Sequence, residues 1–321
     1  MQTLHVHMLG DDPALPDGLR GLVGASVTLT AGALPPPQTT LLIGGRPDAA
    51  QLDACPDLRA LVIPFAGLPE ATAALMRERP HINVHNLHHN ASMTAEMAVA
   101  LLLAVAKRLV SVHNAFTPGD WRPRFDAPRN VHLDGETALI LGYGAIGRRV
   151  GAVCAALGMH VIGVRRQPDG DPQVYTPDAL PDLLPQARAL ICCLPATDAT
   201  RGMIGAAELA LLPRGAVLVN VGRAAVIDEA ALFEALQSGH LYGAGLDVWY
   251  SYPADVESRA AHPPSAYPFH TLGNVVMSPH RAGGFGAAEV EQARLAALAV
   301  VIGAYARGEP APNRVDLDAG Y

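Results

Sequence analysis

Residues Gly142-Tyr-Gly144-Ala145-Ile146-Gly147 place three glycines in the spacing GxGxxG. They follow an apolar segment, Ala138-Leu-Ile-Leu141. They open a stretch that sets Ile146, Val150, Cys154 and Leu157 on one helical side. In a strand–turn–helix unit the first glycine permits the tight turn. The second lets backbone approach a pyrophosphate, and the third lets the helix pack close to the sheet. The phosphate charge then faces the helix N-terminus. The spacing alone is weak in a glycine-rich chain; its context favours dinucleotide binding over a plain structural turn. The next apolar segment ends in Val164 and leads into Arg165-Arg166, Arg165 lying 18 residues beyond Gly147. An NAD site wants an acid about 20 residues beyond the motif. The first acid here is Asp169. A guanidinium at that place attracts the 2′-phosphate of NADP by charge and paired hydrogen bonds. The alternative is a solvated arginine pair on a loop. NADP is therefore expected ahead of NAD.

The elements that position these residues alternate in type. Candidate strands are 3–8, 26–30, 40–43, 60–63 and 82–84, separated by Pro and Gly clusters, with a helix over 70–79. Such alternation predicts a parallel sheet covered on both faces. A long helix is expected over 95–114, capped by Ser92 or Thr94. It is apolar on nearly all sides around Leu101–Val105, so cover by a domain or subunit interface is expected. A loop over 117–130, with Trp121, reads as a connection. A second series follows: strand 137–141, helix 145–157, strand 159–164, then strands 189–192, 216–220, 243–247 and 274–277. A last helix is expected over 287–306. The fold class is α/β, two doubly wound parallel-sheet domains. The first series reads as one small α/β unit and the second series as another.

Composition narrows the classes. Of 321 residues, half are hydrophobic and 17% charged, with a net charge of −7. That supports a substantial core and argues against nucleic-acid binding, which favours a basic patch. The longest apolar run, Met97–Ala106, is half the ~20 residues of a membrane span. The N-terminus lacks the pattern of a signal peptide. Cys55, Cys154, Cys192 and Cys193 form no CxxC pair, so reduced cysteines and a cytoplasmic location are expected. Lys107 is the only lysine, which excludes a Walker-type P-loop. His81, His85, His88 and His89 cluster in sequence. No Cys or acidic ligands accompany them, so no metal is expected. His88–Asn90 are instead candidates to line a substrate cleft.

Three later segments each follow a strand of the second series: Asn220-Val221-Gly222-Arg223 through Asp228-Glu229, Gly243-Ala-Gly-Leu-Asp247-Val-Trp249, and Ser278-Pro-His280-Arg-Ala-Gly283. Ligands bind at the carboxyl ends of parallel strands. The chain also contains, in order, Leu133-Asp-Gly-Glu-Thr, Cys193-Leu194-Pro195 with Thr197 and Thr200-Arg-Gly, and Leu212-Pro-Arg-Gly-Ala-Val-Leu-Val-Asn220. From about Ala60 to Gly283 this pattern resembles the D-isomer-specific 2-hydroxyacid dehydrogenase family. The resemblance implies two flavodoxin- or Rossmann-like domains with an active site between them and a C-terminal helix that returns to the first: a flavodoxin-like substrate domain of residues 1–94 with 286–321, and a Rossmann dinucleotide-binding domain of residues 95–285. It also implies a homodimer.

By that resemblance Arg223 binds the carboxylate of a 2-keto acid and polarises its carbonyl. His280 is the acid in reduction and the base in oxidation. Backbone at Ala66 and Gly67 binds substrate. Asp247 meets the nicotinamide carboxamide. The remaining expected cofactor contacts are Gly142, Gly144, Ala145, Ile146, Gly147, Arg165, Arg166, Leu194, Pro195, Thr200, Val221, Gly222, His280 and Gly283.

One position departs from the pattern. The family usually carries a glutamate five residues after the aspartate, paired to the histidine. Here Tyr252 stands there. Tyr252 could hydrogen-bond the ring, and Asp255 or Glu257 could fold back as a substitute, although solvated charges are the simpler reading. Without a carboxylate partner, His280 is expected to titrate lower. The expected activity is reduction of a small 2-keto acid such as glyoxylate or hydroxypyruvate. The rivals are another small anion, such as formate, handled by the same fold, and a non-catalytic dinucleotide sensor.

Overall fold

The structure is a computed structural model that describes residues 3–10, 14–168, 170–284 and 286–320. Asp169 lies outside the described residues. The chain divides into two compact units, Met1–Asn90 with Gly286–Tyr321, and Ala91–Phe285.

The first unit holds five parallel strands: β1 (Leu4–Leu9), β2 (Val27–Gly32), β3 (Leu41–Ile43), β4 (Ala60–Val62) and β5 (Asn83–His85). Their order is β2-β1-β3-β4-β5, a doubly wound arrangement. Every residue of β3 and β4 is buried, the continuous apolar run of a sheet covered on both sides. One cover is the last helix, Ala288–Arg307. Its Leu298, Val301 and Ile302 pack with Leu4, Val6 and Leu41. The C-terminal segment is tied to the far edge. Asn86 N–H donates to the Asn313 carbonyl and Val315 N–H to the Val84 carbonyl.

The second unit holds β6 (Thr137–Leu141), β7 (His160–Val164), β8 (Val174–Tyr175), β9 (Ala189–Cys192), β10 (Val217–Asn220), β11 (Gly243–Leu246) and β12 (Val275–Met277). The order β12-β11-β10-β9-β6-β7-β8 is parallel throughout. The chain moves outward from β6 in one direction, then returns to β9 on the other side of β6. A topological switch point therefore lies between β6 and β9, where open α/β sheets bind ligands.

The long helix differs from its expected form. It starts at Ala91 and ends at Ala106, and a second helix, Leu109–Ala115, follows. Ser92 and Thr94 lie inside the first helix and do not cap it. The break is at Arg108, whose φ is +52°. Its guanidinium stacks 4.3 Å from the Tyr242 ring centroid and donates to the Tyr242 carbonyl. The cover for the apolar helix comes from its own unit. Leu101, Leu102 and Val105 are buried with Val217, Val219 and Ala138. The connection after it also contains a short helix, Pro123–Asp126. Among the described residues, no helix is long and apolar enough to cross a membrane.

Candidate functional site

The glycine turn sits at the switch point. Gly142 has φ +88°, a conformation that favours glycine. A Cβ there would also lie 2.9 Å from the Cys193 carbonyl carbon. A Cβ on Gly147 would lie 2.4 Å from the Gly142 oxygen, so the helix start and the turn need both glycines. At Gly144 a Cβ would meet nothing within 4 Å, so the turn is open there. The helix Ala145–Ala156 begins at Gly144 with no side-chain cap on its first N–H groups. Ala145, Ile146 and Gly147 form its first turn. An open backbone turn leading into an uncapped helix N-terminus fits a pyrophosphate.

Neighbouring strand ends close around it. The Val164 carbonyl accepts from both Gly142 and Tyr143 N–H at 2.9 and 3.0 Å, which ties the end of β7 to the turn. Arg165, half-buried, is the next residue, and the exposed Arg166 follows. Leu194 and Pro195 follow β9; Val221 and Gly222 follow β10. A Cβ on Gly222 would lie 2.4 Å from the Leu194 oxygen, so these backbones touch. Thr200 is buried. Its hydroxyl donates to the Pro195 carbonyl at 2.6 Å and accepts from Thr197 N–H at 2.8 Å. It shapes the loop that carries Leu194 and Pro195.

The chemistry-bearing cluster lies after β10, β11 and β12. Arg223 follows β10, and its Nη1 donates to the Gly222 carbonyl at 2.8 Å. Asn220 holds this bend. Its side chain accepts from Gly222 N–H and donates to the Arg223 carbonyl. Asp228 caps the next helix through Ala231 N–H, and Glu229 accepts from Ser265 and Ala266. Asp247, at the end of β11, is fully buried. Its carboxylate accepts from Ser278 Oγ at 2.5 Å, Arg281 N–H at 2.8 Å and Ala282 N–H at 3.0 Å. Trp249 Nε1 donates to the Ser278 carbonyl at 2.9 Å. The loop from Ser278 through Gly283 is therefore held on both sides of His280. His280 itself has φ +58°, rare for a residue with a side chain and the kind of local strain found at functional sites. With no exposed surface and both oxygens engaged, Asp247 acts through this loop.

Electrostatics follow from the geometry. Burial lowers the His280 pKa; the Arg223 charge lowers it further, and Asp247 opposes both. Burial also lowers the Arg223 pKa. Tyr252 accepts a hydrogen bond from Trp249 N–H at 2.9 Å. Its ring centroid lies 5.4 Å from that of His280, tilted by 48°, so it packs on the imidazole without bonding to it. Burial raises the Tyr252 pKa, which keeps the phenol neutral near neutral pH. Asp255 is exposed and accepts from Ser258 N–H within its own turn, and Glu257 starts an exposed short helix. Neither substitutes for a carboxylate at His280. The long segment after Tyr252 is tied back through the Pro264 carbonyl, which accepts from Tyr250 and Ser251 N–H.

In the first unit, Ala66 and Gly67 lie in the loop after β4, where the Ala66 carbonyl accepts from Asn86 at 2.8 Å. Both ring nitrogens of His85 are taken, by the Pro312 carbonyl and the Tyr305 hydroxyl. His88 is exposed and His89 half-buried. Among the described residues no three His, Cys, Asp or Glu groups gather as a metal site. Burial pushes the Cys154 thiol up to about 11 and Cys192 to about 12. Sequence reasoning missed Asn220, Trp249 and Ser278, which position the cluster. The visible signal for each was its place at or just beyond a strand end.

Comparison with known proteins agrees with this architecture. The family model for the D-isomer specific 2-hydroxyacid dehydrogenase NAD binding domain matches residues 99–282. A glyoxylate reductase from Aeropyrum pernix is 36% identical over 231 residues, covering 70% of this chain and 66% of that enzyme. A D-3-phosphoglycerate dehydrogenase from Methanocaldococcus jannaschii is 32% identical over 228 residues, covering 70% of this chain and 41% of that one. The chain thus spans less than two thirds of the length of these curated relatives. A D-isomer specific 2-hydroxyacid dehydrogenase from Xanthobacter autotrophicus Py2, solved in complex with NADPH and MES, superimposes with a TM-score of 0.82. It is 26% identical, with both chains fully covered. Because the matched residues run from the middle of the helix Ala91–Ala106 into the His280 loop, the chain belongs to the D-isomer specific 2-hydroxyacid dehydrogenase family.

Proposed function

We propose that the protein is an NADP-preferring reductase of small 2-keto acids, with glyoxylate and hydroxypyruvate as the first candidates. The observation that carries this reading is that Arg223 and a loop-held His280, electrostatically coupled, follow strands of the same sheet that carries the glycine turn. When bound, the nicotinamide supplies the hydride. The chain does the rest. Arg223 holds the substrate carboxylate with its guanidinium fork and draws charge toward the carbonyl oxygen. His280 in its protonated form gives the proton to the oxygen that becomes the hydroxyl, and in the reverse direction its neutral form takes that proton. Arg165 and Arg166 are assigned to the 2′-phosphate. The unit Ala91–Phe285 is assigned the dinucleotide, and backbone N–H groups at Ala66 and Gly67 are assigned to substrate. The proposed compartment is the cytoplasm, and the proposed assembly is a homodimer.

The test is reduction of each acid with NADPH and with NADH, with the product acid identified. Turnover that favours NADPH by roughly tenfold or more, with the preference lost in Arg165→Ala/Arg166→Ala, supports the reading. Preference for NADH retains the reductase and removes the arginine assignment. Tight NADPH binding without turnover on any 2-keto acid favours the sensor alternative.

A further inference from the structure

The hydroxyl of Tyr252 is half spent. It accepts from Trp249 N–H at 2.9 Å, which fixes where the oxygen sits. Its own hydrogen has no acceptor among the described residues, although a phenol is both donor and acceptor. The residue as a whole is 46% exposed, so it is not sealed away from a ligand. It packs 5.4 Å from His280, centroid to centroid, and the Arg223 charge acts on it. A phenol and an imidazole thus lie ring against ring, and the Arg223 guanidinium acts electrostatically on both; all three groups can donate to oxygen. No carboxylate in the cluster competes for them, because Asp247 is engaged by its own loop.

We infer that Tyr252 is a substrate-binding residue, whose hydroxyl donates a hydrogen bond to an oxygen of the carboxylate or carbonyl group held by Arg223. This rests on the 2-keto acid reading of the same site. It gives the position a role distinct from that of a carboxylate paired to the histidine. A carboxylate there could only accept near neutral pH, so it would orient the imidazole and repel the substrate anion. Tyr252 leaves the imidazole without that partner and gives the anion another donor.

Three substitutions separate donation from support of Trp249. Tyr252→Phe removes both acceptor and donor. Tyr252→Glu keeps an acceptor for Trp249 N–H but has no donor near neutral pH. Tyr252→Gln keeps an acceptor and a donor. The probe is oxalate, an unreactive carboxylate, titrated calorimetrically into protein saturated with NADP, with glyoxylate kinetics in parallel. The expected result is a loss of oxalate affinity of roughly 10- to 100-fold in Tyr252→Phe. Tyr252→Glu should lose at least as much, and Tyr252→Gln should recover most of it. Oxalate affinity within twofold of wild type in Tyr252→Phe overturns the inference, as does failure of wild type to bind oxalate. Equal loss in Gln and Phe variants also overturns it, since that marks a structural role. If oxalate affinity follows the donor while no 2-keto acid is reduced, the reductase reading fails and the Tyr252 assignment stands. If reduction proceeds and oxalate affinity ignores the donor, the reverse holds.

Discussion

At the scale of single residues, the account turns on how His280 is held and charged. Its loop hangs on Asp247 by three hydrogen bonds. Changing Asp247 to Asn turns one acceptor oxygen into a donor against donors, leaving a buried N–H or O–H without a partner. The cost is about 1–3 kcal/mol. The expected outcome is a melting temperature lower by several degrees in a thermal scan, with slower reduction. Loss of the Asp247 charge also moves the His280 pKa further down, because that charge opposes the other two influences. In wild type the sign is clear. Burial and Arg223 hold the His280 pKa below its ordinary value of 6.5, and Asp247 and the neutral Tyr252 are the other titratable groups facing it. Reduction needs the protonated ring, so its rate should fall as pH rises through that lowered pKa. Oxidation should persist to correspondingly lower pH. A pH–rate profile for both directions checks this; a reduction limb centred above pH 6.5 would contradict it. The roles of Arg223 and His280 were suggested in the sequence by their residue types just beyond strand ends and by resemblance. The positive φ of His280 and the burial of Asp247 were not legible, because both depend on how separate strand ends meet.

At the scale of elements, most strands were legible because parallel strands buried on both faces read as short continuous apolar runs. β9, Ala189–Cys192, is such a run, and all four of its residues are buried. The two-residue β8 offered no such run. The long helix was misjudged in its ends and its break, since apolar residues resume at Leu109 beyond Lys107 while the left-handed Arg108 interrupts the helix. Its packing explains a motif that looked purely functional. A Cβ on Gly243 would lie 2.9 Å from Val105 Cγ1, and one on Gly245 would lie 2.7 Å from Leu101 Cβ. These glycines make a notch for the helix just before Asp247. Gly245→Ala should therefore lower stability by about 1–3 kcal/mol through overpacking, measured by denaturant unfolding. An unchanged midpoint would show that the helix can shift without cost.

At the scale of the whole molecule, the two-sheet organisation was legible from the repeated strand–helix alternation. The reason for expecting a dimer was less so. The helix around Leu101 is covered within its own unit, but the stretch after it is not. Leu109, Phe116, Trp121 and Phe125 are 63, 50, 61 and 74% exposed, and Phe116 packs on Trp121 with ring centroids 5.3 Å apart, exposed apolar surface of the kind that marks an interface. A second copy of the chain is the proposed cover. Light scattering should give the mass of two chains for wild type and of one for Phe125→Asp; one chain for wild type would refute the dimer. The central claim, that this chain reduces 2-keto acids at Arg223 and His280, has a more direct test. Glyoxylate-dependent NADPH oxidation would be measured in wild type and in folded Arg223→Ala and His280→Gln variants. The account predicts turnover in wild type and a loss of roughly 100-fold or more in His280→Gln with NADPH binding retained. Wild-type turnover that His280→Gln leaves intact would contradict it.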